Sequence, residues 1–172
     1  MISDREACII LNMISGIGYA RYAALVRRFG SPAAVLKASA QEISEVKGFG
    51  PGLAQATANW QNNVDIAGEL DKAARAGVRI YTIEDGDYPE QLRQLTDPPL
   101  ALYVRGNLPD FSTNSAAIVG SRRLSAYGDR MARQFAADAG FTLTSLSNEP
   151  LRDLGGILFA EDGTDHNADG RY

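Results

Sequence analysis

The sequence predicts an α/β protein, with an N-terminal helical domain followed by an incomplete parallel sheet. Three observations carry this. Up to about residue 65 the chain reads as short amphipathic helices broken at glycines. Val78-Arg79-Ile80-Tyr81-Thr82-Ile83 then alternates and is rich in β-branched residues, as a strand does. Further on, the apolar run Ala116-Ala117-Ile118-Val119 breaks into Gly120-Ser121-Arg122-Arg123, and Gly128 and the amphipathic segment Asp129 to Ala139 follow. Gly140 and a second β-prone run, Phe141 to Thr144, complete a strand–loop–helix–strand unit.

The elements follow in order. Ser3 is placed to cap a helix over Asp4 to Met13, with Glu6 as its capping-box partner. A second helix runs from Tyr19 to Phe29 and stops near Gly30, and Ser31-Pro32 restarts a short one to about Ala38. Gln41 to Val46 leads into Lys47-Gly48-Phe49-Gly50, and Pro51 opens a helix to about Asn62. Asn63 to Ala76 forms a connecting helix that Gly77 ends. After the strand, Glu84-Asp85-Gly86-Asp87 lacks the ligand spacing of a calcium loop and reads as a solvated turn. Tyr88-Pro89 starts a short helix through Leu95, and Asp97-Pro98-Pro99 gives an extended entry to a strand over Leu100 to Val104. Ser125 is the N-cap candidate for the helix after Gly120, with Ala132, Phe135, Ala136 and Ala139 as its apolar stripe and Arg130, Arg133 and Asp138 outside. Gly156 to Ala160 has the makings of one more strand, and residues 161–172 read as a disordered tail.

Bulk properties exclude several classes. No apolar run reaches the 18 residues or so of a membrane helix, and the N-terminus has no basic region ahead of an apolar core. The expected location is therefore cytoplasmic. Cys8 is the sole cysteine, so no internal disulfide forms, and its expected role is that of a small buried hydrophobe. His166 is also alone, which argues against a zinc site. The net charge of −4 is unevenly spread. Residues 1–62 carry six Lys/Arg against four Asp/Glu, residues 63–145 nine against eleven, and residues 146–172 two against six. A nucleic-acid surface on this chain must be a local patch rather than a global field.

One internal repeat stands out. Ile14-Ser15-Gly16-Ile17-Gly18 and Val46-Lys47-Gly48-Phe49-Gly50 align at an offset of 32 residues as apolar-x-Gly-apolar-Gly breaks between helices. The pattern resembles tandem helix-hairpin-helix motifs, as found in SAM-like domains. Glycine permits the tight turn and lets a phosphate approach the backbone, where N–H groups of the following helix face it. Gly16, Gly18, Lys47, Gly48 and Gly50 are the candidate contacts, with Arg21, Arg27 and Arg28 as further cations. The competing reading is that the hairpins only join packed helices.

The loop Gly120-Ser121-Arg122-Arg123 is the candidate phosphate site of the second half. Backbone N–H groups converge at such a strand end, and Arg122 adds a planar fork of donors. In isolation Gly-Ser-Arg is also an ordinary turn. Its surroundings are more specific. Asp87-Tyr88-Pro89-Glu90-Gln91-Leu92, then Asp97-Pro98-Pro99-Leu100-Ala101-Leu102-Tyr103-Val104-Arg105-Gly106, then Val119-Gly120-Ser121-Arg122 with Tyr127-Gly128 follow in fixed order. This trio resembles the bacterial DNA processing protein A family (DprA, also called Smf), with its "YP..L", "DPP..LY..G" and "VGSR....YG" motifs. The resemblance spans about residues 1–145. It implies a Rossmann-like domain, here partial over 66–160 after a helical domain over 1–65. It also implies single-stranded DNA as ligand, bound at Gly120, Ser121 and Arg122 with Arg123 beside them. Loading of the recombinase RecA during natural transformation, and a homodimer, follow from the same likeness. The family's second Gly-rich segment, "SGLA.GID..AH", has no counterpart after Thr144-Ser145, so a truncated or frame-altered form is expected beyond about residue 145.

No catalytic constellation emerges. Ser121 has no evident base, no P-loop is present and the dinucleotide fingerprint is missing, so neither enzyme activity nor a cofactor is expected. Two alternatives remain open: a non-functional remnant or helical partner-binding module, and, more remotely, a nucleotide-cleaving enzyme on a related fold.

Overall fold

The computed structural model describes residues 2–106, 108, 125–138 and 146–147. Helix α1, Asp4–Met13, begins where its chemistry dictates. The Ser3 hydroxyl accepts from the Glu6 amide at 3.2 Å and the Glu6 carboxylate accepts from the Ser3 amide at 2.8 Å. Ala7, Cys8, Ile9, Ile10 and Leu11 are all fully buried. Five consecutive buried residues leave no solvent face, so α1 is the central helix of the fold. It contacts the short helix α3, Pro32–Val35, and later elements of both helix and strand.

Helix α2, Tyr19–Phe29, ends at Gly30 with φ 90°. After α3, Ser39 caps α4, Ala40–Ser44, through a second capping box with Glu42. The single helix expected from Pro51 to Asn62 is instead two, α5, Pro51–Ala58, and α6, Trp60–Asn63. Asn59 leaves helical geometry at ψ 33°, and the Asn63 side chain donates to the Ala56 and Asn59 carbonyls at 3.2 Å each. The break turns Trp60 into the core, where its indole N–H donates to the Leu36 carbonyl. Helix α7, Ile66–Arg75, starts three residues later than expected because Asp65 is its cap, accepting from the Gly68 amide at 2.9 Å. A Cβ on Gly68 would stand 2.1 Å from that carboxylate, so this cap requires the glycine.

Strands β1, Val78–Thr82, and β2, Ala101–Arg105, flank the short helix α8, Glu90–Arg93. They pair antiparallel, from Val78↔Arg105 to Thr82↔Ala101. Val78, Ile80, Ala101 and Tyr103 pack with Ala73 of α7 and Ile9 of α1, whereas Tyr81, Leu102 and Val104 join the core of the helical repeat. The ladder is thus covered on both faces, and within β1 only Arg79 reaches solvent. One core runs from Leu11, Leu25, Ile43 and Trp60 to Leu100 and Val104, across residue 65.

The α/β character and the helical N-terminal region stand as predicted. The strand pairs among the described residues are all antiparallel, because β2 also pairs antiparallel with β3, Leu146–Ser147. β3 lies just beyond the strand expected over Phe141 to Thr144. The parallel ladder of a Rossmann-like sheet was placed on 116–119 and 141–144, which lie outside the described residues, as do 148–172 with the extra strand and the tail. Helix α9, Ala126–Asp138, is present, and the Gly128 amide donates to the Ser125 hydroxyl at 3.1 Å, as the cap assignment requires. Of its expected apolar stripe, Phe135 is 63% exposed, and Ala132, Ala136 and Ala139 lie outside the described side chains.

Candidate nucleic-acid interface

The repeat in the sequence is a repeat in the backbone. In the first hairpin the Ile14 amide donates to Leu11 and the Ile17 amide to Ile14; in the second, Val46 donates to Ile43 and Phe49 to Val46, all at 3.0–3.2 Å. Gly16 and Gly48 take φ of 92° and 95°, a region L-residues avoid. Ile14 and Ile17 of one, Val46 and Phe49 of the other, are buried in the same core. Ser15, Gly16, Gly18, Lys47, Gly48 and Gly50 face solvent. The candidate contacts of both hairpins are therefore accessible.

The helices that leave the hairpins begin differently from their neighbours. α1 and α7 each have a cap side chain and an acidic residue in the first turn. α2 and α5 have glycine caps, Gly18 and Gly50, no side-chain cap and no acid in the first turn. Among the described residues no side chain caps their leading N–H groups, which stand at the positive end of the helix dipole.

The cations fall out unequally. Lys47 is exposed beside Gly48 and takes part in no ion pair among the described residues. Arg21 was expected to supply charge to a ligand, but its guanidinium is engaged with the chain. Nη1 donates to the Gly16 carbonyl at 2.5 Å and Nε to the Gly48 carbonyl at 3.0 Å. Arg28 pairs with Glu45 at 3.7 Å and stacks over Phe29. Arg27 borders an open groove of ≈ 550 Å³ with Tyr19, Val26, Glu84 and Arg93, where the Tyr22 hydroxyl donates to Glu84 at 2.7 Å. Burial pushes the nearby Cys8 thiol up to about 12, which keeps it protonated and inert.

In the second half, the motif residues that precede the candidate loop Gly120-Ser121-Arg122-Arg123 brace the fold. The Tyr88 hydroxyl donates to the Pro99 carbonyl at 2.8 Å, tying "YP" to "DPP". Arg93 donates to the carbonyls of Ile83 and Asp85 and lies over the Tyr88 ring. Asp85, read as part of a solvated turn, instead accepts from the Thr82 amide at 2.7 Å and from Arg5 at 3.2 Å. Arg5 also donates to the Ile80 carbonyl, joining α1 to β1. No local signal in the sequence marks Arg5, because its partners lie 75 and 80 residues away. Gly120, Ser121, Arg122 and Arg123 lie outside the described residues, and Tyr127, just after them, is 66% exposed.

Comparison with known proteins agrees with both halves. Residues 9–56 match the SAM-like helix-hairpin-helix tandem, the class that the paired hairpins define. Residues 79–145 match the DNA recombination-mediator protein A family. Over that segment the chain is similar to the DNA processing protein A (Smf) family. Protein Smf of Synechocystis sp. is 25% identical over 150 residues, 83% of this chain and 38% of the relative. Protein Smf of Escherichia coli strain K12 is 39% identical over 84 residues, 47% of this chain and 20% of the relative. The DNA ligase of Paenarthrobacter aurescens is 36% identical over 104 residues, 60% of this chain and 13% of the relative. The chain spans well under half the length of these curated relatives. No solved structure matches it.

Proposed function

We propose that this chain binds single-stranded DNA through its phosphates and acts as an accessory to recombination in DNA uptake, passing the strand to the recombinase RecA. The observation that carries the reading is the pair of exposed glycine hairpins whose outgoing helices, α2 and α5, have neither a capping side chain nor a first-turn acid. These precede a segment of the DNA processing protein A family. Two phosphate-facing regions follow: the hairpins, with Lys47 as their cation, and the loop Gly120-Ser121-Arg122-Arg123. The protein is read as a cytoplasmic binding protein rather than an enzyme, arranged as a helical domain to about residue 65 and a partial Rossmann-like domain beyond it. A homodimer is part of the same reading.

Titration of labelled oligothymidine with the full chain at two salt concentrations tests it. Binding is expected to be insensitive to sequence and to weaken as salt rises, since phosphate contacts release counterions. Arg122→Ala is expected to weaken binding more than Arg130→Ala, whose side chain is exposed on α9. Equal binding by Arg122→Ala and wild type removes the loop from the site. Absence of binding by wild type at low salt leaves the helical region as a partner-binding module.

A further inference from the structure

We propose that Arg21 is a positioning residue that locks the two hairpins at one spacing, so that a single nucleic-acid backbone meets both at once. The inference rests on the phosphate-binding reading of the hairpins and adds what holds them together. One guanidinium donates to the carbonyl of Gly16 and to the carbonyl of Gly48, the two equivalent glycines of the repeat. A planar fork with fixed donor directions is suited to setting the distance between two acceptors, which a lysine point charge is not. Position 53 is the repeat equivalent of position 21, at the same 32-residue offset, and its occupant completes the device. A Cβ at Gly16 would meet the Leu53 methyl groups at 3.7 and 3.8 Å, and one at Gly48 would meet Arg21 at 3.7 Å. Each repeat thus sends the third residue of its outgoing helix over the glycine turn of the other. The clasp is reciprocal, polar in one direction and apolar in the other.

The consequence is cooperative binding. Two weak phosphate contacts held at fixed separation act as one stronger site, because the second contact forms at a high effective concentration once the first is made. Arg21 directs its Nε and one Nη1 donor, two of five, at the two glycine carbonyls, and the role proposed for it is geometric.

The experiment compares wild type with Arg21→Lys, Arg21→Met and Leu53→Ala, each as the full chain. Oligothymidine affinity is measured across a salt series, and amide exchange is followed without DNA. All three variants are expected to exchange faster at 14–18 and 46–50 together. All are expected to bind at least about tenfold more weakly, with the log–log salt slope shallower by about one phosphate. A change of slope in Leu53→Ala is decisive, since that substitution removes no charge and mere loss of folded protein lowers the amplitude instead. Arg21→Lys binding like wild type while Arg21→Met does not would make Arg21 a direct phosphate contact and overturn the proposal. Wild-type behaviour in Arg21→Met and Leu53→Ala overturns it too, while leaving the hairpins as binding sites. Failure of wild type itself to bind at low salt removes the underlying reading and the proposal with it.

Discussion

Ile14–Gly18 and Val46–Gly50 turn through the same hydrogen bonds, yet they are supported and charged differently. The first lies between α1 and α2, of ten and eleven residues; the second lies between α4 and α5, of five and eight. Ser15 of the first corresponds to Lys47 of the second, Tyr19 to Pro51, and Arg21 to Leu53. What the pair shares is what the turn needs: a glycine at positive φ, an apolar residue on either side of it and a glycine cap. What differs is whatever points outward. Backbone geometry constrains the first set strictly, whereas the second is free to specialise. The second hairpin carries Lys47, which takes part in no ion pair among the described residues, and the helix leaving the first carries Arg21, the polar half of the clasp.

The largest effect that can break this comparison comes from the core. Leu11 and Ile43 occupy equivalent positions and are both fully buried. Leu11→Ala and Ile43→Ala are each expected to cost about 2–5 kcal/mol. In thermal denaturation both are expected to lower one shared transition, because the two repeats feed one core. A separate early transition in Ile43→Ala alone would mean that the second repeat folds independently.

Gly16→Ala and Gly48→Ala come next. Each puts a Cβ into left-handed backbone, at a cost of about 1–2 kcal/mol, and the similar φ values require similar losses in chemical denaturation. A neutral result at either position would mean that hairpin relaxes to another turn.

Ser3→Ala is expected to cost about 1 kcal/mol through loss of the α1 cap, with a matching fall in helix signal stability. The same boxes give a pH dependence. Hydrogen bonds from Ser3 and Ser39 hold the Glu6 and Glu42 carboxyls below their ordinary value of 4.5. A lowered folded pKa contributes stability that is complete above the unfolded value and is lost as pH falls through the folded one. Wild type is thus expected to lose melting temperature below about pH 4.5 more steeply than the Glu6→Gln, Glu42→Gln double variant. Parallel curves would show that the boxes do not form in solution.

The smallest effect discriminates the hairpins by charge. Lys47→Ala is expected to reduce the salt slope of oligothymidine binding by about 1, and Ser15→Ala to leave it unchanged. An equal response at both positions would erase the functional asymmetry.

Local chemistry made most of the helical half legible. Ser3 with Glu6 placed the start of α1, Gly30 the end of α2, and Gly77 the end of α7, since caps and positive-φ turns act within a few residues. The repeat at an offset of 32 specifies the paired hairpins by itself. Reading failed where a distant partner decided the outcome. The hydrogen bond from Arg21 to the Gly48 carbonyl has no signal near it in sequence, because Gly48 lies 27 residues away. Asp85 looked like solvent-facing turn because Arg5, 80 residues earlier, is invisible to local rules. The break at Asn59 arises because Trp60 must reach the Leu36 carbonyl, a packing demand that overrides a continuous helical pattern. The sequence alone determined where the two glycine hairpins turn, which apolar residues beside them face inward, and which family its second half resembles. Tertiary structure alone decided which cations are spent on the fold, that β1 and β2 run antiparallel and covered on both faces, and that the hairpins are clasped together. The physical reason is one of range: capping and glycine geometry are settled within a single turn, whereas an arginine's partner is chosen by whatever carbonyls the packed core brings within reach.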